Sequence, residues 1–186
     1  MKEDIQKIAI EYGYEPPYKP DREWLICDYL PKLEGTILYV GVNTYNNFYS
    51  KIVKDSSKYF TIDICSKRSE KGSNLDYPEN NFIGNLKSHK NKYDNICLFG
   101  IHGFNGYEIH NEDTYLDLLY VHKNLLNDGG TLMWGPNNQI SIELEGKLTT
   151  FKDLMNNILN KSPFKEYDVL YKKDYANNMI WWGKKK

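Results

Sequence analysis

The chain has 186 residues, 40% of them apolar and 26% charged, an ordinary mixture for one globular domain and too apolar for a disordered tail. Twenty-four basic residues against 25 acidic leave a formal net charge of −1, so no global positive field exists to coat nucleic acid or anionic lipid. The longest apolar runs, as at 96–99, fall far short of the roughly 20 residues that cross a bilayer, and the opening MKEDIQ lacks a signal-peptide profile; a cytoplasmic protein with no membrane partner is expected.

In chain order, residues 1–12 carry Ile5, Ile8 and Ala9 at helical spacing before Gly13, and EPPYKP at 15–20 breaks the pattern. Asp21 can cap a second helix reaching about Leu30, with Pro31 marking its end. Residues 1–34 therefore read as a helical arm packed on a domain spanning 35–186. TILYVGV from Thr36 is a β-rich apolar run, and NNFYSKIVKD after it has helical spacing with Phe48, Ile52 and Val53 on one side. YFTIDI at 59–64 and, more weakly, NFIGN at 81–85 read as strands. NICLFGI at 95–101 is almost continuously hydrophobic, which suits a strand covered on both faces.

A helix is expected over 114–126, closed by Asn127-Asp128-Gly129-Gly130 and followed by the strand TLMWG. Another helix at about 149–160 precedes strands at 167–172 and 179–183, whose short DYANN connection requires an antiparallel pair. Alternating strands and helices imply an α/β three-layer sandwich: a seven-stranded, mostly parallel sheet that ends in an antiparallel hairpin. Along the last strand Trp181 and Trp182 face opposite sides, so one is expected under a helix and the other half exposed, where it could serve a homodimer. Lys184-Lys185-Lys186 reads as a solvated tail, and Cys27, Cys65 and Cys97, which form no CxxC, read as reduced, buried thiols.

In an open parallel sheet, ligands bind beyond the carboxyl ends of the strands. Gly41, Asp63, Asn85 and the pair Ile101-His102 end the first four strands of this reading and converge on that edge. Gly41 allows a close approach to the backbone. Asp63, between Ile62 and Ile64, would be costly inside an apolar strand unless it lies at the rim, where it can accept both hydroxyls of a ribose.

These residues resemble the class I S-adenosylmethionine-dependent methyltransferases over about 36–183. ILYVGVNTYN is similar to the glycine-rich first motif and TIDI to the acidic second. FIGN with KYDNICLFG is similar to the third and fourth, and LLNDGGTLMWG to the turn and strand after the fourth helix. FGIHGFNG with the later LLNDGG strand resembles, more narrowly, small methyltransferases associated with glycan assembly. The resemblance implies S-adenosylmethionine as cofactor. Gly41 would pass under its methionine part, with Asn43 at the position of the motif's second glycine. Asp63 would hold the ribose, Ile64 would pack on adenine, Asn85 would meet the adenine amine, and Phe99, Gly100 and Ile101 would line the floor. The chain departs from the family in carrying Tyr39 where the first motif has an acid, Asn43 where it has a glycine, and Asn85 where aspartate is commoner.

Methyl transfer is an in-line displacement that needs alignment, exclusion of water and, for a hydroxyl acceptor, removal of a proton. IHGFNGYEIHNED after the fourth strand is too long for a tight turn and is placed to face the acceptor. His102 is the first candidate base, because imidazole titrates near neutrality; Glu108 and His110 follow. The spacing of His102 and His110 suits no metal site, so no metal is expected. Tyr12, Tyr14, Tyr18 and Trp24 give the arm aromatic faces suited to a sugar, or else to core filling.

The leading expectation is thus O-methylation of a small hydroxylated acceptor, a sugar or nucleotide sugar. Alternatives are a catalytically inactive binding or scaffold module, favoured by the degenerate first motif, and an RNA methyltransferase, opposed by the near-neutral charge despite the basic cluster at 87–92. A nicotinamide-dependent oxidoreductase is disfavoured, because GVNTYNNF lacks GxGxxG spacing and no Tyr-x-x-x-Lys is present.

Overall fold

A computed structural model describes residues 7, 10–11, 26–41, 46–63, 80–99, 111–135, 141–144, 147–175 and 178–186. Among the described residues nine strands run in chain order: β1 Ile37–Val40, β2 Tyr59–Asp63, β3 Asn81–Ile83, β4 Tyr93–Phe99, β5 Leu126–Gly135, β6 Ser141–Leu144, β7 Lys147–Thr150, β8 Asp168–Tyr175 and β9 Asn178–Lys184. Three helices are described at length: α1 Asn46–Ile52, α2 Asn111–Tyr120 and α3 Phe151–Leu159. Residues 26–29 are helical and tighten around Pro31 into a 3-10 turn, Leu30–Lys32.

Seven strands form one sheet in the order β3-β2-β1-β4-β5-β9-β8. The first five are mutually parallel, and β9 runs antiparallel to both β5 and β8. The expected mixed sheet is therefore present. Alternation along its strands splits the core into two layers. Leu38, Val40, Ile62, Ile96, Leu98, Leu132 and Trp134 pack against Leu118 and Val121 beyond one face and Phe151, Leu154, Met155 and Ile158 of α3. Ile37, Tyr39, Tyr59, Cys97, Met133 and Trp182 pack against Ile26, Cys27 and Leu30 and against Tyr49, Ile52 and Val53 on the other. Both faces being covered explains the continuous apolar run of β4.

Several expectations change. The helix expected over 114–126 starts at Asn111, and its end is wound as a π turn, Val121–Leu125, so that β5 begins at Leu126. Asn127 to Gly130 form a bulge within β5, because the register jumps from Tyr93↔Leu126 to Asn95↔Thr131; Gly129, at φ 73°, makes the turn. The third strand ends at Ile83, short of Asn85, since Asn85 caps a 3-10 turn, Leu86–Ser88.

Trp181 and Trp182 are both buried, one in each layer, rather than one being half exposed. Tyr29 and Tyr171 lie against the Trp182 ring, with centroids 3.6 and 4.8 Å away, so this tryptophan offers no surface for self-association. Lys184–Lys186 is not a loose tail. Lys184 ends β9, and Lys185, only 11% exposed, donates through Nζ to the carbonyls of His122 (3.0 Å) and Leu126 (3.3 Å) and pairs with Asp128 at 2.8 Å. Those carbonyls lie where a helix end leaves acceptors unmatched, and an ammonium satisfies them.

The hairpin β6–β7 was not expected at all. Its signal was the alternation in SIELEGKLTT around Glu145-Gly146. Among the described residues, no helix is long and apolar enough to cross a membrane.

Candidate functional site

Because β3, β2, β1, β4 and β5 are parallel, their carboxyl ends share one edge. At its centre, β1 is followed by Gly41 at φ 85°, in the left-handed region that favours glycine, and the Gly41 N–H donates to the Ile62 carbonyl at 2.9 Å. That bond fixes the turn out of β1 directly beside Asp63, the last residue of β2. Asp63 in turn pairs in register with Ile83 of β3. On the other flank, Phe99 ends β4 opposite Gly135 of β5. A Cβ on Gly135 would stand 3.0 Å from the Phe99 ring, so the glycine gives that ring its place.

The edge thus brings Gly41 and Asp63 to the ends of adjacent strands, as the sequence implied, whereas β4 ends at Phe99, short of the expected Ile101-His102. Asn85 stands two residues beyond β3, exposed, and its side-chain oxygen accepts the Lys87 N–H at 2.9 Å. That oxygen is engaged in a turn through one lone pair; its second lone pair and the amide N–H groups are what the side chain has to offer a ligand. Asn43, Ile64, Gly100 and Ile101, the candidate bases His102, Glu108 and His110, and the aromatic residues Tyr12, Tyr14, Tyr18 and Trp24 lie outside the described residues.

Tyr39 stands where the resembling family carries an acid. The residue is fully buried, its ring centroid 5.5 Å from that of Tyr49 and 6.3 Å from that of Phe99. Its side chain is a core ring supporting α1 and the end of β4. The layer beneath the edge is also kept uncharged: burial pushes the Cys97 thiol up to about 12 and holds the Tyr59 hydroxyl well above its ordinary value.

The two described histidines serve structure. His89 Nε2 lies 2.7 Å from the Tyr93 hydroxyl and His122 Nδ1 lies 2.9 Å from that of Tyr167, and burial lowers the pKa of both rings. A depression of about 350 Å³ lies at the opposite, amino edge, around Leu33, Gly35, Ile37 and Val53. Its rim charges are matched, Lys54 with Glu34 at 2.8 Å and Lys58 with Asp55 at 3.5 Å. Ligand chemistry is better served by the carboxyl edge, where strand ends converge. Among the described residues, no group of three or more potential metal ligands occurs.

A parallel sheet in this strand order, finished by a reversed strand between β5 and β8, is the fold of the class I S-adenosylmethionine-dependent methyltransferases. Solved structures that share it include a methyltransferase from Geobacter sulfurreducens (TM-score 0.56, 14% identity, covering 99% of this chain and 87% of that one). Others are the fibrillarin pre-rRNA processing protein of Methanococcus jannaschii (0.54, 15%, 90% and 76%) and the N-methyltransferase NodS of Bradyrhizobium japonicum in complex with S-adenosyl-L-homocysteine (0.54, 11%, 97% and 97%). At these identities the likeness is one of fold. No protein-family model matches the sequence, and no curated protein does.

Proposed function

We propose that the chain is a cytoplasmic S-adenosylmethionine-dependent methyltransferase that transfers a methyl group to the hydroxyl of a small acceptor, a sugar or nucleotide sugar. One observation carries the reading: the Gly41 turn, at positive φ, is hydrogen-bonded to the residue preceding Asp63, so a backbone without a Cβ and a strand ending in aspartate stand side by side at the carboxyl edge of the sheet. That pairing fits an adenosyl group, whose ribose diol needs a double acceptor and whose amino-acid tail needs room over a backbone without a Cβ.

S-adenosylmethionine, when bound, supplies a methyl group on a good leaving group, open to in-line attack. Asp63 would accept the ribose hydroxyls and so fix the reacting carbon relative to the sheet. Gly41 would admit the tail, the second lone pair of the Asn85 side-chain oxygen would accept from the adenine amine, and the segment from Phe99 to Ile101 would close the floor against water. His102 would take the proton as the acceptor oxygen forms its bond to the methyl carbon and the carbon–sulfur bond breaks; Glu108 and His110 are the alternative bases.

The test is a calorimetric titration with S-adenosylmethionine, S-adenosylhomocysteine and NAD. Binding of either adenosyl compound, lost in Asp63→Ala and preserved in His102→Ala with slower turnover, supports the reading. Binding of NAD alone overturns it. A second reading, a methyltransferase-like module that binds without catalysis, is favoured by Tyr39, whose ring fills the core where the family carries an acid. It predicts adenosyl binding without methyl gain on any nucleotide sugar, a distinction made by mass spectrometry.

A further inference from the structure

The connection from β3 to β4 is fastened along one stripe of α2. Asp113, Asp117 and Tyr120 stand at i, i+4 and i+7 and so share a face of that helix, next to the buried stripe Thr114, Leu118 and Val121. Gly84, at φ 149°, turns the chain out of β3. Beyond it, Lys87 Nζ donates to Asp117 Oδ1 at 2.6 Å and the Tyr120 hydroxyl donates to the His89 carbonyl at 2.8 Å, while Leu86 packs against the core. The hydrogen bond to Asp117 and its charge, joined by the charge of Asp113, raise the Lys87 pKa above its ordinary value, so the ammonium stays charged.

Lys87 is bound at both ends. Its backbone N–H donates to Asn85 Oδ1 at 2.9 Å, and its ammonium reaches α2. The Asn85 carbonyl is occupied as well, by the Ser88 N–H at 2.9 Å and the Ser88 hydroxyl at 2.6 Å. The two ends of an amide side chain are alike in shape and opposite in hydrogen bonding, so a half-turn about its last bond exchanges acceptor for donors. Such a half-turn of Asn85 would set an NH2 group against the Lys87 N–H, and a turn tied to a helix cannot drift to relieve that clash. The ion pair itself is 53% exposed on the lysine and 33% on the aspartate, so it adds little to global stability. Its consequence is local.

We propose that Lys87 and Asp117 are positioning residues that lock the Asn85 amide in the orientation that recognises an aminopurine, and so set the nucleobase specificity of the donor site. This rests on the methyltransferase reading, which brings the adenine to Asn85 beyond the carboxyl end of β3. Adenine presents an amine, a donor to the second lone pair of the Asn85 oxygen. Hypoxanthine presents a carbonyl oxygen at the same place, which sets lone pair against lone pair. With the Lys87–Asp117 strap intact, the amide cannot turn over to suit hypoxanthine. With the strap cut, it can.

Calorimetric titration of the whole chain with S-adenosylhomocysteine and with S-inosylhomocysteine, whose base is hypoxanthine, tests this. The parent should favour the adenosyl probe by at least about tenfold, the effect of one opposed rather than paired hydrogen-bonding group. Lys87→Met and Asp117→Asn should each cut that preference at least about threefold, whereas Lys87→Arg, which keeps an ion pair, should retain it. Lys90→Met removes an equal charge from the same segment, where Lys90 lies over the Tyr120 ring, and should leave the preference unchanged. Melting temperatures of all four variants should stay within about 2 °C of the parent. An undiminished preference in Lys87→Met and Asp117→Asn, or the same loss in Lys90→Met, would overturn the proposal. So would an equal weakening of both probes, the mark of a merely structural role. A parent that binds the two probes alike would also overturn it, removing Asn85 from base recognition while leaving the donor site standing. Binding of neither probe would bring down the methyltransferase reading itself.

Discussion

Replacing Asp94 by asparagine should uncouple three strands at the amino edge without touching the donor site. Asp94 Oδ2 accepts the backbone N–H of Thr36 at 2.8 Å and its hydroxyl at 2.9 Å, while Oδ1 accepts the Asn127 side-chain amide at 2.9 Å. One carboxylate thus ties the entry to β1, the start of β4 and the bulge in β5. Asparagine keeps the shape but offers one oxygen, so its amide nitrogen must confront the donors of Thr36 or that of Asn127. Exchanging charged for neutral hydrogen bonds and leaving one donor opposed should cost about 2 kcal/mol, a fall in melting temperature of roughly 4–8 °C for a chain of this size.

The pH dependence gives that prediction its sign. The Thr36 backbone N–H, followed by the Asn127 amide, lowers the pKa of Asp94 from 3.8. Its contribution is therefore fully present above the unfolded value and is lost as pH falls through the lower folded one. Urea unfolding of parent and variant at pH 7 and at successive steps below pH 4 should show a gap that narrows with acid. Affinity for S-adenosylhomocysteine at pH 7 should stay within about twofold, because the substitution lies at the far end of the sheet. A gap independent of pH, or none at pH 7, would refute the argument.

Further expectations concern the core and the carboxyl-terminal strand. A Cβ on Gly183 would overlap the Trp181 ring and stand 3.0 Å from Tyr167, so Gly183→Ala should lower stability by about 1–3 kcal/mol in urea titrations. Lys185→Met should cost about 1–2 kcal/mol through the orphaned carbonyls of His122 and Leu126. By contrast, Asp128→Ala should leave the urea midpoint almost unchanged, since that carboxylate is 87% exposed. With its pKa near 12 and no solvent exposure, Cys97 should react with a thiol reagent at pH 8 at least about a thousandfold more slowly than a free cysteine, read by peptide mass, until the protein unfolds.

Much of the fold was legible because hydrophobic periodicity reports local geometry. β1, β2, β4 and the pair β8–β9 each show in the sequence as a short apolar run bounded by a turn. Tertiary contacts decided the rest. Whether Trp182 was exposed depended on Tyr29 and Tyr171, far away in the chain. The fate of Lys185 depended on a helix end that no local pattern links to it. At the candidate site, the turn at Gly41 and the strand end at Asp63 could be placed from the sequence, since glycine and a lone acid interrupt apolar runs. The core position of the Tyr39 side chain could not, because strand alternation says that a residue faces a layer but not which rings fill it. The hairpin β6–β7 escaped because its alternating run merges into the helical pattern of α3.

The insertion of β9 between β5 and β8 makes the sheet dependent on a strand that follows all its other members in the chain. A truncated product ending before Asn178 would leave β5 with an unpaired flank and β8 with no neighbour, uncovering the backbone beside Met133 and Trp134 and leaving the already exposed Val169 and Leu170 on an unpaired strand. Two sticky borders in one molecule are a recipe for chain-to-chain pairing. Premature termination within these residues should therefore yield aggregates rather than a weakened but soluble protein.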